Sequence, residues 1–376
     1  MATMTKKTGI YVHVPFCRSK CYYCDFCSRT RADDEVKDLY TQRLCEEIED
    51  VARRIGDDRP TADTVYFGGG TPTLLSPSQF EKILSTIESN FGIENGAEIT
   101  AETNPKTADG EKLKNMRSVG INRLSIGMQS VHDNELRALG RIHSFADFLK
   151  TFSDAREAGF DNVSVDLMYG IPEQTKESFS KSIETLASLD PEHISSYSLT
   201  VEEGTPFWNR RNSLVLPDEE TVGDMYLLMC DILRKFGYEK YEISNFAHKS
   251  RESRHNLKYW RREDYLGFGP AAHSFYAGIR FAHSRDIEAY LRGENIIESS
   301  DTIVGEEAMD EYVMLGMRLS EGIDTVKFNR LFNTDFDERY GRVFKRFSPE
   351  YVTADNGFYR FTDKGMLVSN YILSET

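Results

Sequence analysis

Four of the six cysteines in this 376-residue chain fall between Cys17 and Cys27, and that crowding limits the fold more than any other feature of the sequence. The run His13-Val-Pro-Phe-Cys17-Arg-Ser-Lys-Cys21-Tyr-Tyr-Cys24-Asp-Phe-Cys27 sets three thiols at C-x3-C-x2-C, directly after an apolar segment that reads as a strand. Three thiolates can hold three irons of a cubane cluster and leave the fourth iron open to a small ligand, whereas an electron-transfer cluster is ordinarily closed by a fourth residue. An open iron is what reductive cleavage of S-adenosylmethionine (SAM) needs, because the amino and carboxylate groups of its methionine part chelate that iron. A four-thiolate zinc loop completed by Cys27 is the alternative, although the spacing differs from the usual C-x2-C zinc pairs. Packing is the default reading for Cys27, as it is for Cys45 and Cys230, which stand alone in helical apolar patterns.

The rest of the composition narrows the setting. Positions 1–8 carry Lys6 and Lys7 with no apolar stretch of signal-peptide length behind them, so a cytoplasmic protein is expected. In that compartment clustered cysteines mean metal or redox chemistry and not a disulfide framework. A formal net charge of −15 argues against nucleic acid as a partner, since phosphate attraction requires a positive face. No apolar run reaches the length of a membrane span.

Short apolar segments alternate with amphipathic stretches through the first half, the pattern of parallel strands joined by helices. Strands are expected at 9–13, 64–67, 98–101, 123–127, 162–167 and 193–199. A helix over 34–55 follows from Val36, Leu39, Tyr40, Leu44, Ile48, Val51 and Ile55 at three- and four-residue intervals. Another starts with Ser76 as N-cap and Pro77 in its first turn. Six such units make an α/β protein, either a partial barrel or an open doubly wound sheet; periodicity does not choose. After Leu199 the alternation fades, and from Ile303 the chain reads as helices followed by a hairpin around Asp355-Asn356-Gly357. These shifts divide the chain into a core over 1–240, a flanking segment over 241–302 and a small helical domain with a β-wing over 303–376.

Polar residues recur where the strands end. Gly68-Gly69-Gly70-Thr71-Pro72 follows the second strand, where glycines let backbone groups approach a ligand. Glu102, Gln129 and Asp166 sit at or near the ends of the third, fourth and fifth, the edge at which barrel ligands gather.

With these motifs in place, the sequence resembles the radical SAM superfamily, whose signature is a C-x3-C-x-aromatic-C loop after the first strand of a partial (β/α)6 barrel; Tyr23 supplies the aromatic. The resemblance implies a 4Fe-4S cluster on Cys17, Cys21 and Cys24, and SAM contacts from Tyr11, Tyr23, Gly69, Gly70, Thr71, Glu102, Gln129, Arg141 and Asp166. It extends through Ser125-Ile-Gly-Met-Gln-Ser130 and Asp166-Leu-Met-Tyr-Gly-Ile-Pro172 and points to two sister groups. These are the oxygen-independent coproporphyrinogen III oxidases and the haem chaperones of the HemW type. The short segment ahead of the first strand and the Cys24-Asp-Phe sequence resemble the chaperones. So does Arg254-His255-Asn256-Leu-Lys-Tyr259-Trp260, similar to the H-N-x-x-Y-W haem-binding signature, which implies haem contact by His255, Asn256, Tyr259 and Trp260. Positions 248–264 hold six Lys or Arg against three acids, an island of positive charge suited to haem propionates. Without the resemblance, His255 would read as a hydrogen-bonded core histidine and Trp260 as an apolar anchor. The expected function is haem delivery to haem-accepting respiratory proteins, with a reductant for the cluster, peripheral membrane contact and a homodimer among its associations. The rival is radical decarboxylation of coproporphyrinogen III.

Overall fold

The computed structural model describes residues 6–376. Six strands, β1 (Lys7–Val14), β2 (Thr61–Gly69), β3 (Ile93–Thr103), β4 (Arg123–Gln129), β5 (Val163–Tyr169) and β6 (His193–Ser198), lie parallel and side by side in chain order. Helices between them make the crossovers that parallel pairing requires. The first, Asp34–Ile55, begins where Asp33 accepts from the Val36 amide at 3.0 Å and buries Tyr40, Leu44, Ile48 and Ala52 against the sheet. The second, Pro77–Phe91, opens with a reciprocal capping box between Ser76 and Gln79.

Period-two alternation gives the sheet two chemically different faces. Ile10, Val12 and Val14 of β1, Val65 and Phe67 of β2, Leu124, Ile126 and Met128 of β4, and Val163, Val165 and Leu167 of β5 are buried in the apolar core. The alternate residues are polar, and register sets them in rows: Tyr11, Tyr66, Thr100 and Arg123 are successive partners across β1 to β4, and Glu102, Ser125 and Ser164 across β3 to β5. A closed barrel fills its interior with branched apolar side chains; this inner face is built for polar contents.

The β1 and β6 edges do not pair with each other, so the expected partial barrel stays open. The sheet instead runs on to twelve strands. Tyr265–Phe268 adds in parallel to β1, followed by antiparallel His273–Tyr276, Ile279–His283 and Ile297–Thr302; Asn245–Ala247 and then Glu239–Lys240 add beyond β6. The sequence hides this extension because the strands are short and one hairpin turns on Ala277 (φ 52°) and Gly278 (φ 79°), without the Asn-Gly or Asp-Gly pair that announces such turns.

The C-terminal part packs helices Gly305–Gly316, Thr325–Phe332 and Arg342–Arg346 around Phe328, Phe336, Tyr340 and Phe344, beside a hairpin of Val352–Asp355 and Phe358–Phe361. Here the turn does carry the Asn-Gly signal, with Asn356 at φ 52° and Gly357 at φ 79°. No helix among the described residues is long and apolar enough to cross a membrane.

Candidate functional site

The cysteine loop leaves β1 at Val14 and is held from three sides. The Gly70 amide donates to Val14 O at 2.9 Å and the Thr71 amide to Phe16 O at 2.7 Å, stitching the loop to the end of β2. A Cβ on Gly69, which has φ +103°, would come within 2.6 Å of the His13 ring, and one on Gly70 would reach 2.6 Å from Phe16 O. The glycine run is therefore required by backbone packing under the loop, not only by approach to a ligand. On the second side, Arg285 pairs with Asp25 at 3.0 Å, also donates to the Asp25 carbonyl, and its own carbonyl accepts from the Cys27 thiol at 3.3 Å. On the third, the Tyr22 amide donates to Leu139 O at 3.0 Å, the Phe207 amide donates to Tyr22 O at 2.9 Å, and the Arg210 guanidinium lies 4.6 Å from the Tyr22 ring centroid. Held in this way, Cys17, Cys21 and Cys24 stay half-buried and line one cavity. Cys27, 7% exposed, turns away from it.

That cavity, about 510 Å³, opens at the carboxyl ends of β2 to β6. Tyr23, Gly69, Gly70, Thr71, Glu102, Gln129, Arg141 and Asp166 line it together with the three thiols. Tyr11 does not. Set back from the end of β1, it gives its hydroxyl to His13 Nδ1 at 3.0 Å and stacks 6.3 Å from Tyr66, which does line the cavity. Thr71 donates to Cys17 Sγ at 3.6 Å and Arg141 to Cys21 Sγ at 3.5 Å. Arg141 further donates to Gly127 O at 2.8 Å and to Asn104 Oδ1. Asn104, Arg123, Tyr66 and Tyr197 also line the cavity and were missed from sequence. The Asn104-Pro105 pair after β3 and the inner-face alternation through Gln129, Gly127, Ser125 and Arg123 were the signals available.

Burial dominates the electrostatics. It pushes the Glu102 carboxyl up to about 7, with Asp166 adding to the rise while the Tyr66 hydroxyl at 2.9 Å and the Gly69 amide at 3.2 Å oppose it. Asp166 is raised as well, against the hydroxyl of Ser125 at 2.9 Å. Burial likewise raises the Cys17 thiol and pushes that of Cys24 up to about 11, and Cys21 adds to both. Bound iron would reverse that tendency, since metal ligation keeps thiols deprotonated. Among the described residues no three His, Cys, Asp or Glu side chains converge on a point suited to one ion. A cubane asks for something different, one thiolate for each of three separate corners, and three thiols around one cavity fit it. The acids Glu102 and Asp166 beside the cationic Arg141 suit a ligand that, like SAM, carries both signs of charge.

The H-N-x-x-Y-W segment forms the helix Arg254–Trp260, and its four marked side chains do not share a face. His255 is fully buried, with Nδ1 at 2.8 Å from Thr64 Oγ1 and Nε2 at 2.8 Å from the Tyr259 hydroxyl. Burial, with the charges of Lys258 and Arg123, pushes its imidazole down to about 3. Neither ring nitrogen is available to iron in this arrangement. Tyr259 packs edge-on to Tyr265 at 4.6 Å. Asn256 reaches the cavity of the three cysteines, and Trp260 lines a separate crevice of about 270 Å³ with Tyr312, Ile323 and Phe358. His255 and Tyr259, one helical turn apart, point inward as a pair, and their neighbours are rotated about 100° to other surroundings. Most basic side chains of positions 248–264 are engaged within the fold. Arg251 pairs with Asp161 at 3.7 Å, Lys258 with Asp63 at 2.9 Å, Arg261 with Glu321 at 3.1 Å and Arg262 with Glu311 at 2.6 Å, while Arg254 donates to Gly96 O at 2.9 Å.

Comparison with known proteins agrees with this geometry. The family model of the radical SAM superfamily matches residues 11–186, and that of the HemN C-terminal domain matches residues 304–368. The chain is 36% identical over 371 residues to the heme chaperone HemW of Bacillus subtilis (strain 168), covering 96% of this chain and 97% of that protein. It is 32% identical over 371 residues to the heme chaperone HemW of Escherichia coli (strain K12), covering 97% of each. Among solved structures, coproporphyrinogen III oxidase (HemN) from Escherichia coli, described as a radical SAM enzyme, superposes with a TM-score of 0.84 at 23% identity, over 98% of this chain and 89% of that one.

Two outcomes follow from the way the loop and the helix are held. In Arg285→Ala, hydrogen exchange in residues 17–27 should quicken several-fold while the remaining sheet keeps its protection; unchanged exchange in the loop would show that Arg285 does not hold it. His255 stays neutral in the fold to about pH 3 but takes up a proton near 6.5 when unfolded, so its contribution lowers stability as pH falls below 6.5. His255→Gln should therefore lose about 2–3 kcal/mol less stability than the parent between pH 6.5 and 4 in denaturant titrations. Parallel acid limbs would contradict the neutral, buried imidazole.

Proposed function

The chain belongs to the HemW family of heme chaperones within the radical SAM superfamily, and from that membership we propose that it binds haem, a 4Fe-4S cluster and SAM and delivers haem to acceptor proteins of the respiratory chain. The observation that supports this most is the common cavity of Cys17, Cys21, Cys24 and the strand-end residues from Gly69 to Asp166.

In this reading the three thiolates hold the cluster, and Cys27, bonded to Arg285 O, stays outside the ligand set. When bound, the cluster supplies the electron that reductive cleavage of SAM consumes. The chain's own contribution is to hold charge in place. Arg141, kept rigid by Gly127 O and Asn104, stands ready for an anionic group. Glu102 and Asp166 stand ready for cationic groups, and a cation beside Glu102 would draw its carboxyl back toward ionisation. His255 acts through structure: it anchors the helix that brings Asn256 to the cavity and Trp260 to the C-terminal domain. Haem handling then engages the cavity region and that domain, without an iron bond from His255. A cytoplasmic location, a separate electron donor, peripheral membrane contact with the acceptors and a homodimer complete the proposal.

One observation favours a second reading, the likeness to coproporphyrinogen III oxidase, which at 23% identity shows the fold alone. Anaerobic, reduced protein should bind haem stoichiometrically and leave coproporphyrinogen III unchanged in the presence of SAM. Formation of protoporphyrinogen would replace the chaperone reading with the oxidase one.

A further inference from the structure

The inner face of the sheet holds a charge that the residues assigned to the cluster and SAM do not use. Arg123, the first residue of β4, is 2% exposed and lines the cavity. Its Nε is sealed from solvent without a partner, and its guanidinium makes no hydrogen bond or ion pair to any described residue. A guanidinium keeps its proton in any protein environment, so Arg123 brings a full positive charge to the cavity with its Nε–H unsatisfied. The register partner of Arg123 on β3 is Thr100, whose Oγ1 is also buried and unpartnered.

Neighbouring groups do not resolve this. Glu102 and Asp166 feel the charge of Arg123, which draws both carboxyls down, but Glu102 is bonded to Tyr66 and the Gly69 amide and Asp166 to Ser125. The contrast with Arg141, which reaches Gly127 O, Asn104 and Cys21, is direct. Positions 248–264 do not offer a competing free cationic face, because five of their six Lys and Arg side chains are engaged inside the fold.

We propose that Arg123 is the anchor of a carboxylate-binding subsite at the floor of the cavity, separate from the residues assigned to SAM. A planar, singly charged carboxylate matches the guanidinium fork with two parallel hydrogen bonds. A phosphate is the poorer fit, since its second charge would face Glu102 and Asp166 at close quarters. The ligand is therefore a carboxylic acid, either a free small acid or the propionate arm of a porphyrin; only the porphyrin source rests on the haem reading.

The test titrates the full, anaerobically reconstituted, SAM-saturated protein with sodium propionate by calorimetry, with propionamide as the uncharged isostere. Propionate should bind at least about tenfold more tightly than propionamide, Arg123→Met should weaken it at least about tenfold, and Arg123→Lys should fall between. Arg123→Gln, which keeps a neutral hydrogen-bonding side chain, should also weaken it at least about tenfold, and it keeps the test decisive if Arg123→Met does not fold. Equal binding of propionate and propionamide, no binding of either, loss of binding when SAM is present, or indifference to the variants would each overturn the subsite. The source is read by comparing retention of haem and of its dimethyl ester. If esterification and Arg123→Met both lower retention, the acid is the porphyrin's; if propionate binds while haem retention is untouched by either, it is a free small acid. Because the propionate titration contains no haem, failure of the haem reading leaves the subsite standing.

Discussion

Two backbone hydrogen bonds, from Gly70 to Val14 O and from Thr71 to Phe16 O, decide where everything else in the site can be. They lay the cysteine loop across the end of β2, a position open only because Gly69 and Gly70 carry no Cβ to strike His13 or Phe16. With the loop in that place, three thiols face the ends of the strands and not solvent. The clasps from Arg285 and from the 205–210 turn hold the same loop at its other edges. A long flanking segment, remote in sequence from the cysteines, thus takes part in presenting them.

The sheet supplies the second half of the site through period-two alternation. Apolar residues on one face bury against helices and stabilise the fold, which leaves the other face able to carry Glu102, Arg123 and Asp166 into the cavity that Arg141 joins from a loop. Charged groups so placed have perturbed protonation, as the carboxyl of Glu102 near 7 shows, and they interact more strongly with a bound ligand than they would in water. The same burial is what makes this face selective for a ligand with matching charges.

Sequence carried the local features well and the long-range ones poorly. The helix Asp34–Ile55 was legible because its apolar spacing lies wholly within the segment. The strand-end residues were legible because parallel strands bring their carboxyl ends to one edge, whatever the rest of the chain does. Ala277-Gly278 hid one hairpin, whereas Asn356-Gly357 announces another, in the C-terminal wing. The basic island looked free because the acids that engage it, Asp63, Asp161, Glu311 and Glu321, come from other parts of the chain. His255 and Trp260 sit close in sequence, yet one faces the sheet and the other the C-terminal domain, and only the packed neighbours of that short helix reveal which.

The central claim is that the three thiols of one loop hold an iron-sulfur cubane with a corner left for SAM. Its most direct test is electron paramagnetic resonance of the reduced, anaerobically reconstituted protein before and after SAM is added. The account predicts the spectrum of a reduced 4Fe-4S cluster, altered by SAM and lost in the Cys17→Ala, Cys21→Ala and Cys24→Ala variants but retained in Cys27→Ala. A loop that takes up zinc, or a cluster signal indifferent to SAM, would contradict it.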